Sequence, residues 1–181
     1  MIDAENFAQA ETLKNGVSVE IRSIRPDDKA GLTEAFQNLE PESIYTRFFH
    51  HKKGMSESEL KAATEVDFDI VVALVVTTKT EEGEIIIAGG RYFVLDERET
   101  LLKAEVAFAV EEDYHGQGIA SLLLNHLIRI ARYKGLAHFV AEVLSENKGM
   151  LRVFSRSGLP MKEKREGNVI HVTMDLAENV A

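Results

Sequence analysis

KAEVAFAVEEDYHGQGIAS, residues 103–121, decides the fold. Its first half alternates as a strand, with Ala104, Val106, Phe108 and Val110 on one face and Glu105, Ala107 and Ala109 on the other. Its second half is a glycine loop that runs straight into an amphipathic helix. Ile119, Leu122, Leu123, Leu127, Ile130 and Ala131 recur there at helical spacing, cations gather near the end at Arg129, Arg132 and Lys134, and Gly135 is the stop. Strand, loop and helix in this order build an anion cradle. Gly116 and Gly118 let backbone N–H groups approach a phosphate, and the free N–H groups of the helix's first turn add the positive end of its dipole. A pyrophosphate-bearing cofactor suits such a cradle.

The loop is not a Walker loop, since no Gly-Lys-Ser/Thr follows, and it is not a dinucleotide fingerprint, which needs a third glycine and a later acid. Two glycines between a strand and a helix also make an ordinary tight turn, and the residues alone leave both readings open. The heptapeptide Tyr114-His115-Gly116-Gln117-Gly118-Ile119-Ala120 resembles the acyl-CoA loop of the GNAT N-acetyltransferase superfamily, Gln/Arg-x-x-Gly-x-Gly/Ala, with His115 at the Gln/Arg position. Further segments resemble the Pat-type bacterial protein lysine acetyltransferases: Ile24-Arg25-Pro26-Asp27-Asp28, Leu39-Glu40-Pro41-Glu42-Ser43-Ile44-Tyr45-Thr46-Arg47-Phe48-Phe49, Ala104-Glu105-Val106-Ala107-Phe108, and Leu144-Ser145-Glu146-Asn147 with Met150. The likeness spans roughly residues 17–176. Pat proteins commonly carry a regulatory nucleotide-binding domain or a synthetase-like region, and these 181 residues have room for neither.

The resemblance implies an α/β, GNAT-like single domain over residues 17–176, with a central mixed, mostly antiparallel β-sheet flanked by helices. Residues 1–16 are then an N-terminal extension and residues 177–181 a C-terminal tail. It also implies acetyl-CoA as acyl donor, held by His115, Gly116, Gln117, Gly118, Ile119, Ala120 and Ser121. Backbone N–H groups at Phe108, Ala109 and Val110 are expected along the pantetheine arm, one of them facing the oxyanion. Asn147 matches a family asparagine on that arm, and Arg156 a basic position near the CoA phosphates; the alternatives are a helix N-cap and a solvated cation. Where many family members have a tyrosine as acid for the departing thiolate, Phe154 stands here. A thiol with a pKa of about 8.5 can leave without one.

A lysine acceptor, with a reference pKa of about 10.4, is mostly protonated at neutral pH, so a base must take its proton. Glu105 is the candidate, and in the Pat-type enzymes the glutamate of this segment is the general base. Glutamate's reference pKa of about 4.3 makes partial burial or an ordered water chain part of that expectation. A solvent-facing strand residue is the structural alternative.

Composition agrees with one enzyme domain. Hydrophobic residues make up 45% of the chain, enough for a sizeable core, and the absence of cysteine excludes an acyl-cysteine intermediate and cysteine zinc sites. Thirty acidic residues against 21 Lys and Arg give a net charge of -9, which disfavours nucleic acid and anionic membranes and suits a cationic acceptor. No run approaches the roughly 20 apolar residues of a membrane span, so the expected address is the cytoplasm. No metal site is expected: His50 and His51 are adjacent and point apart, and His126 reads as a core histidine.

Elsewhere the pattern predicts a strand over residues 17–25, helices over 26–39 and from 56 to 64, and a short helix or turn over 42–51. A hairpin of strands follows at 70–78 and 84–95 about a polar turn, with Gly89-Gly90 marking a bulge. A strand at 139–144 lies parallel to the one before the loop, a helix covers 147–156, and a hairpin at 160–164 and 169–175 closes the domain. Three functions stand: acetylation of a protein lysine, acetylation of a small amine or amino acid, and a non-catalytic acyl-CoA sensor. Both a monomer and a homodimer are compatible with the chain.

Overall fold

The computed structural model describes residues 1–177. Strands β1 (Ala8–Thr12) and β2 (Ser18–Ser23) come first, then a 3-10 turn at Pro26–Asp28 and helices α1 (Lys29–Gln37), α2 (Pro41–Phe48) and α3 (Glu57–Thr64). Next are β3 (Val71–Thr80), β4 (Gly83–Val94), β5 (Lys103–Val110), α4 (Ile119–Tyr133), β6 (His138–Leu144), α5 (Lys148–Ser155), β7 (Met161–Glu166) and β8 (Val169–Asp175). Among the described residues the strands form one eight-stranded sheet in the order β1-β2-β3-β4-β5-β6-β8-β7. Every neighbouring pair is antiparallel except β5 with β6, which α4 connects as a crossover. The mixed, mostly antiparallel sheet is the one expected.

Much of the core lies between the sheet and α4, and β3 is buried on both faces, with Val72, Ala73, Leu74, Val75 and Val76 all enclosed. The helical spacing of α4 buries Ile119, Leu123, Leu124, Leu127, Ile130 and Ala131, against Ala104, Val106 and Phe108 of β5. Phe154 of α5 reaches the same face, its ring 6.1 Å from that of Phe108. The opposite face, carrying Ala107 and Ala109, is roofed by α1, α2 and α3. Ser56 starts α3 with a capping box, its hydroxyl accepting from Glu59 N while the Glu59 carboxylate accepts from Ser56 N.

A buried ion pair fastens that roof to the sheet. Arg22 of β2 donates to both Asp28 carboxylate oxygens at 2.9 Å and to Glu84 at 3.1 Å, and Asp28 accepts from Arg25 N at 2.8 Å. Burial pushes the Asp28 carboxyl up, but the hydrogen bonds from Arg22 and Arg25 outweigh it and hold the group below its ordinary range.

Two details depart from the sequence reading. Residues 8–12 pair with β2, and the segment around them packs on α4: Phe7 lies 5.3 Å from the His126 ring, and His126 Nε2 meets Glu11 at 2.8 Å. Their mostly polar run, AQAET, hides an edge strand whose outer side faces water. The bulge falls at Ile87 rather than at Gly89-Gly90, because Val76 pairs with Ala88 and Thr77 with Ile86. Gly90 serves another need: a Cβ there would stand 2.7 Å from the Phe108 ring, which lies directly across from it. Of the expected tail, residues 178–181 lie outside the described residues.

Candidate active site

The site begins where two strands part. β5 pairs with β6 only at Lys103, Ala104 and Glu105, while β4 stays paired with β5 as far as Val110. Glu111 N donates to Ile87 O on the β4 side, and Leu102 O accepts from Ala137 and His138 on the β6 side. Alternation along the strand therefore turns the N–H groups of Val106, Phe108 and Val110 toward the splay. Ala109, expected among these donors, turns its N–H toward β4, and its side chain lines the cavity on the other face. Val106 is a donor that sequence reasoning missed. The splay leaves a slot of about 50 Å³ lined by Val106, Phe108, Ala141 and Val143 of the sheet and by Asn147, Met150 and Phe154.

Beyond the slot lies the glycine loop. Gly116 and Gly118 adopt φ of 76° and 86°, left-handed values that let the chain turn sharply into α4. Gly118 is the N-cap and offers no side chain, so the N–H groups of Ile119, Ala120 and Ser121 are left for a ligand, and the first intrahelical bond is Leu122 N to Gly118 O. The cradle thus fits a pyrophosphate. His115 is exposed, and its Nε2 lies 2.8 Å from Val110 O, which ties the loop to the end of β5. Gln117 O accepts from Lys14 N at 3.3 Å, and the Lys14 side chain passes beside Gly118, so the β1–β2 turn adds a cation that the sequence pattern did not reveal.

Asn147 caps α5, its Oδ1 accepting from Met150 N at 3.2 Å, as the N-cap alternative expected, and it also lines the slot. Arg156 is exposed at the far end of α5 and lines neither the slot nor the larger cavity.

Across the sheet is a cavity of about 480 Å³ between the helical roof and the faces of β3, β4 and β5. Glu105, the last residue paired with β6, stands at the vertex of the splay, on the same face of β5 as Ala107 and Ala109. It is exposed, so the partial burial expected of the base is absent; the cause is an open strand face beside α2. Arg47, from the last turn of α2, lines both slot and cavity, and Arg91 of β4 enters the cavity opposite Ala107. Burial, and then the nearby charge of Arg91, push the Arg47 guanidinium down to about 10, with Glu105 acting the other way. Phe49 ends α2 with φ of 60°, a strained value for a bulky residue that costs about 1–3 kcal/mol.

A parallel-paired strand that splays beside a glycine cradle, with an acid at the vertex, defines an acyl-CoA-dependent acetyltransferase fold. The chain matches the model of the acetyltransferase (GNAT) family over residues 34–159, and it belongs to that family. It is 33% identical over 140 residues to the acetyltransferase Pat of Mycolicibacterium smegmatis, across 76% of this chain and 40% of that protein. The crystal structure of the GNAT domain of S. lividans PAT superimposes with a TM-score of 0.83 at 32% identity, covering 93% of this chain and 96% of that one. A cAMP-binding acyltransferase from Mycobacterium smegmatis is 29% identical with a TM-score of 0.65, covering 96% of this chain and 48% of that one. The chain thus spans less than half the length of these two mycobacterial relatives.

Proposed function

We propose that this domain transfers the acetyl group of acetyl-CoA directly to a lysine side chain of a protein, with Glu105 as general base. The position of Glu105 supports this reading most. It is the last β5 residue paired with β6 before the strands diverge, and its charge acts on Arg47, which lines both the slot and the cavity.

Acetyl-CoA supplies an activated thioester; the chain's own groups do the rest. The backbone from Gly116 to Ser121 holds the pyrophosphate, and the N–H groups of Val106, Phe108 and Val110 face the pantetheine arm and the carbonyl oxygen that gains charge. Asn147, with Oδ1 engaged in the cap, keeps its Nδ2 hydrogens for the arm, while Arg156, exposed at the far end of α5, is assigned to the CoA phosphates by the resemblance alone. Glu105 takes the lysine proton through water, as its exposure allows, and the neutral amine attacks. Phe154 lines the slot where an acid would stand, so the thiolate leaves unprotonated. Among the described residues no helix is long and apolar enough to cross a membrane, and the reading places the reaction in the cytoplasm.

Thiol release from acetyl-CoA, with a lysine-bearing protein and a panel of small amines as acceptors, tests this. Release driven by the protein substrate supports the proposal, and release driven only by small amines replaces its acceptor. Tight acetyl-CoA binding without turnover on any acceptor would make the domain a sensor.

A further inference from the structure

The buried Arg22 and the half-buried Arg132 both have partners. Arg22 is held by Asp28 and Glu84, and Arg132 donates to Leu176 O. Arg47 and Arg91 differ: among the described residues neither guanidinium makes a hydrogen bond or an ion pair. Arg47 rests over the Phe48 ring at 4.8 Å. Both side chains nonetheless enter the same mainly apolar cavity, close enough for the charge of Arg91 to disfavour that of Arg47. Lys52 on the cavity wall is already paired with Glu59.

Two like charges held together in an apolar cavity cost free energy unless an anion completes the arrangement, and a guanidinium pair matches the two oxygens of a carboxylate. Arg91 stands opposite Ala107, which makes it a diagonal neighbour of Glu105, about 7–8 Å away between Cα atoms. The cavity wall therefore carries two cations for an acid, with Glu111 on the same wall paired to neither among the described residues, and Glu105 beside it at the vertex is a carboxylate for an ammonium. That is the charge pattern of an amine and a carboxylate carried on one acceptor.

We propose that Arg47 and Arg91 form a carboxylate subsite in the acceptor cavity, so that the lysine acetylated by this domain carries an acidic residue beside it. The inference rests on the lysine-acceptor reading and narrows it to a sequence context.

The test compares the peptides acetyl-Glu-Lys-Gly-amide and acetyl-Gln-Lys-Gly-amide by calorimetry on CoA-saturated protein, with thiol release from acetyl-CoA measured in parallel. The acidic peptide is expected to bind about tenfold tighter, as one charge-assisted contact provides. Arg91→Gln and Arg47→Gln, checked for an unchanged circular dichroism spectrum, are expected to abolish the difference, and Arg91→Lys to retain part of it. Equal binding of the two peptides, or a preference that survives both glutamine variants, overturns the subsite. Nα-acetyl-lysine against its amide forms the second arm: a preference confined to that pair contradicts a peptide occupant and assigns the carboxylate to a small acceptor. Charge-dependent binding without any acetylation would remove the lysine-transfer reading while leaving the subsite standing. Acetylation indifferent to the neighbouring charge would do the reverse.

Discussion

The slot and cradle between β5, α4 and β6 present backbone N–H groups, whereas the cavity across the sheet presents the side chains of Arg47, Arg91 and Glu111. The first is framed by core strands and the molecule's longest described helix, the second by three short helices of eight or nine residues. A donor common to a family can be held by main chain, which glycine and alternation specify. An acceptor is read by side chains, which can change without moving the sheet.

The roof should come away before the cradle does. Asp28→Asn leaves Arg22 buried with Glu84 as its only carboxylate, and is expected to cost about 3 kcal/mol in urea unfolding. The pH dependence sharpens this. The Asp28 carboxyl is held low in the folded protein, so its contribution is complete above its unfolded pKa of about 3.9 and is lost as pH falls through the lower folded value. Wild type and variant should converge in stability in that acid range, and a gap that persists there would show that the carboxylate's charge is not what fastens the roof.

Gly90→Ala strikes the boundary between the halves, driving a methyl to 2.7 Å from the Phe108 ring opposite. Overpacking of this kind costs about 1–3 kcal/mol and should shift β5 at the splay, seen as a lower melting temperature together with weaker acetyl-CoA binding. Gly118→Val acts on the cradle alone. A β-branched residue at φ of 86° strains the loop by about 1–3 kcal/mol, so acetyl-CoA affinity should fall about tenfold and the melting temperature by a few degrees.

The same contrast governs what could be read from the chain. The strand-loop-helix of residues 103–121 carries period 2, then two glycines, then period 3.6, and each signal is local; β5, the loop and α4 form as expected. The parallel pairing of β6 also follows, since a strand, a crossover helix and a second strand leave few topologies. Arg47 and Arg91 come from a helix end and a mid-strand position whose convergence no local pattern encodes. Lys14 escaped notice for the same reason, because it reaches the loop only through the pairing of an inconspicuous polar edge strand. The direction of each N–H group on β5 needed the register, and that put Val106 in the slot and took Ala109 out of it.

The account turns on Glu105 belonging to the chemistry and not to the hold on the cofactor. The most direct measurement takes Glu105→Gln and reads, on one preparation, the Kd for acetyl-CoA by calorimetry and the kcat for thiol release with a lysine-bearing acceptor. An unchanged Kd with kcat lowered about 100-fold or more is the result expected of a lost general base. An unchanged kcat, or a Kd that weakens in step with it, would contradict the assignment.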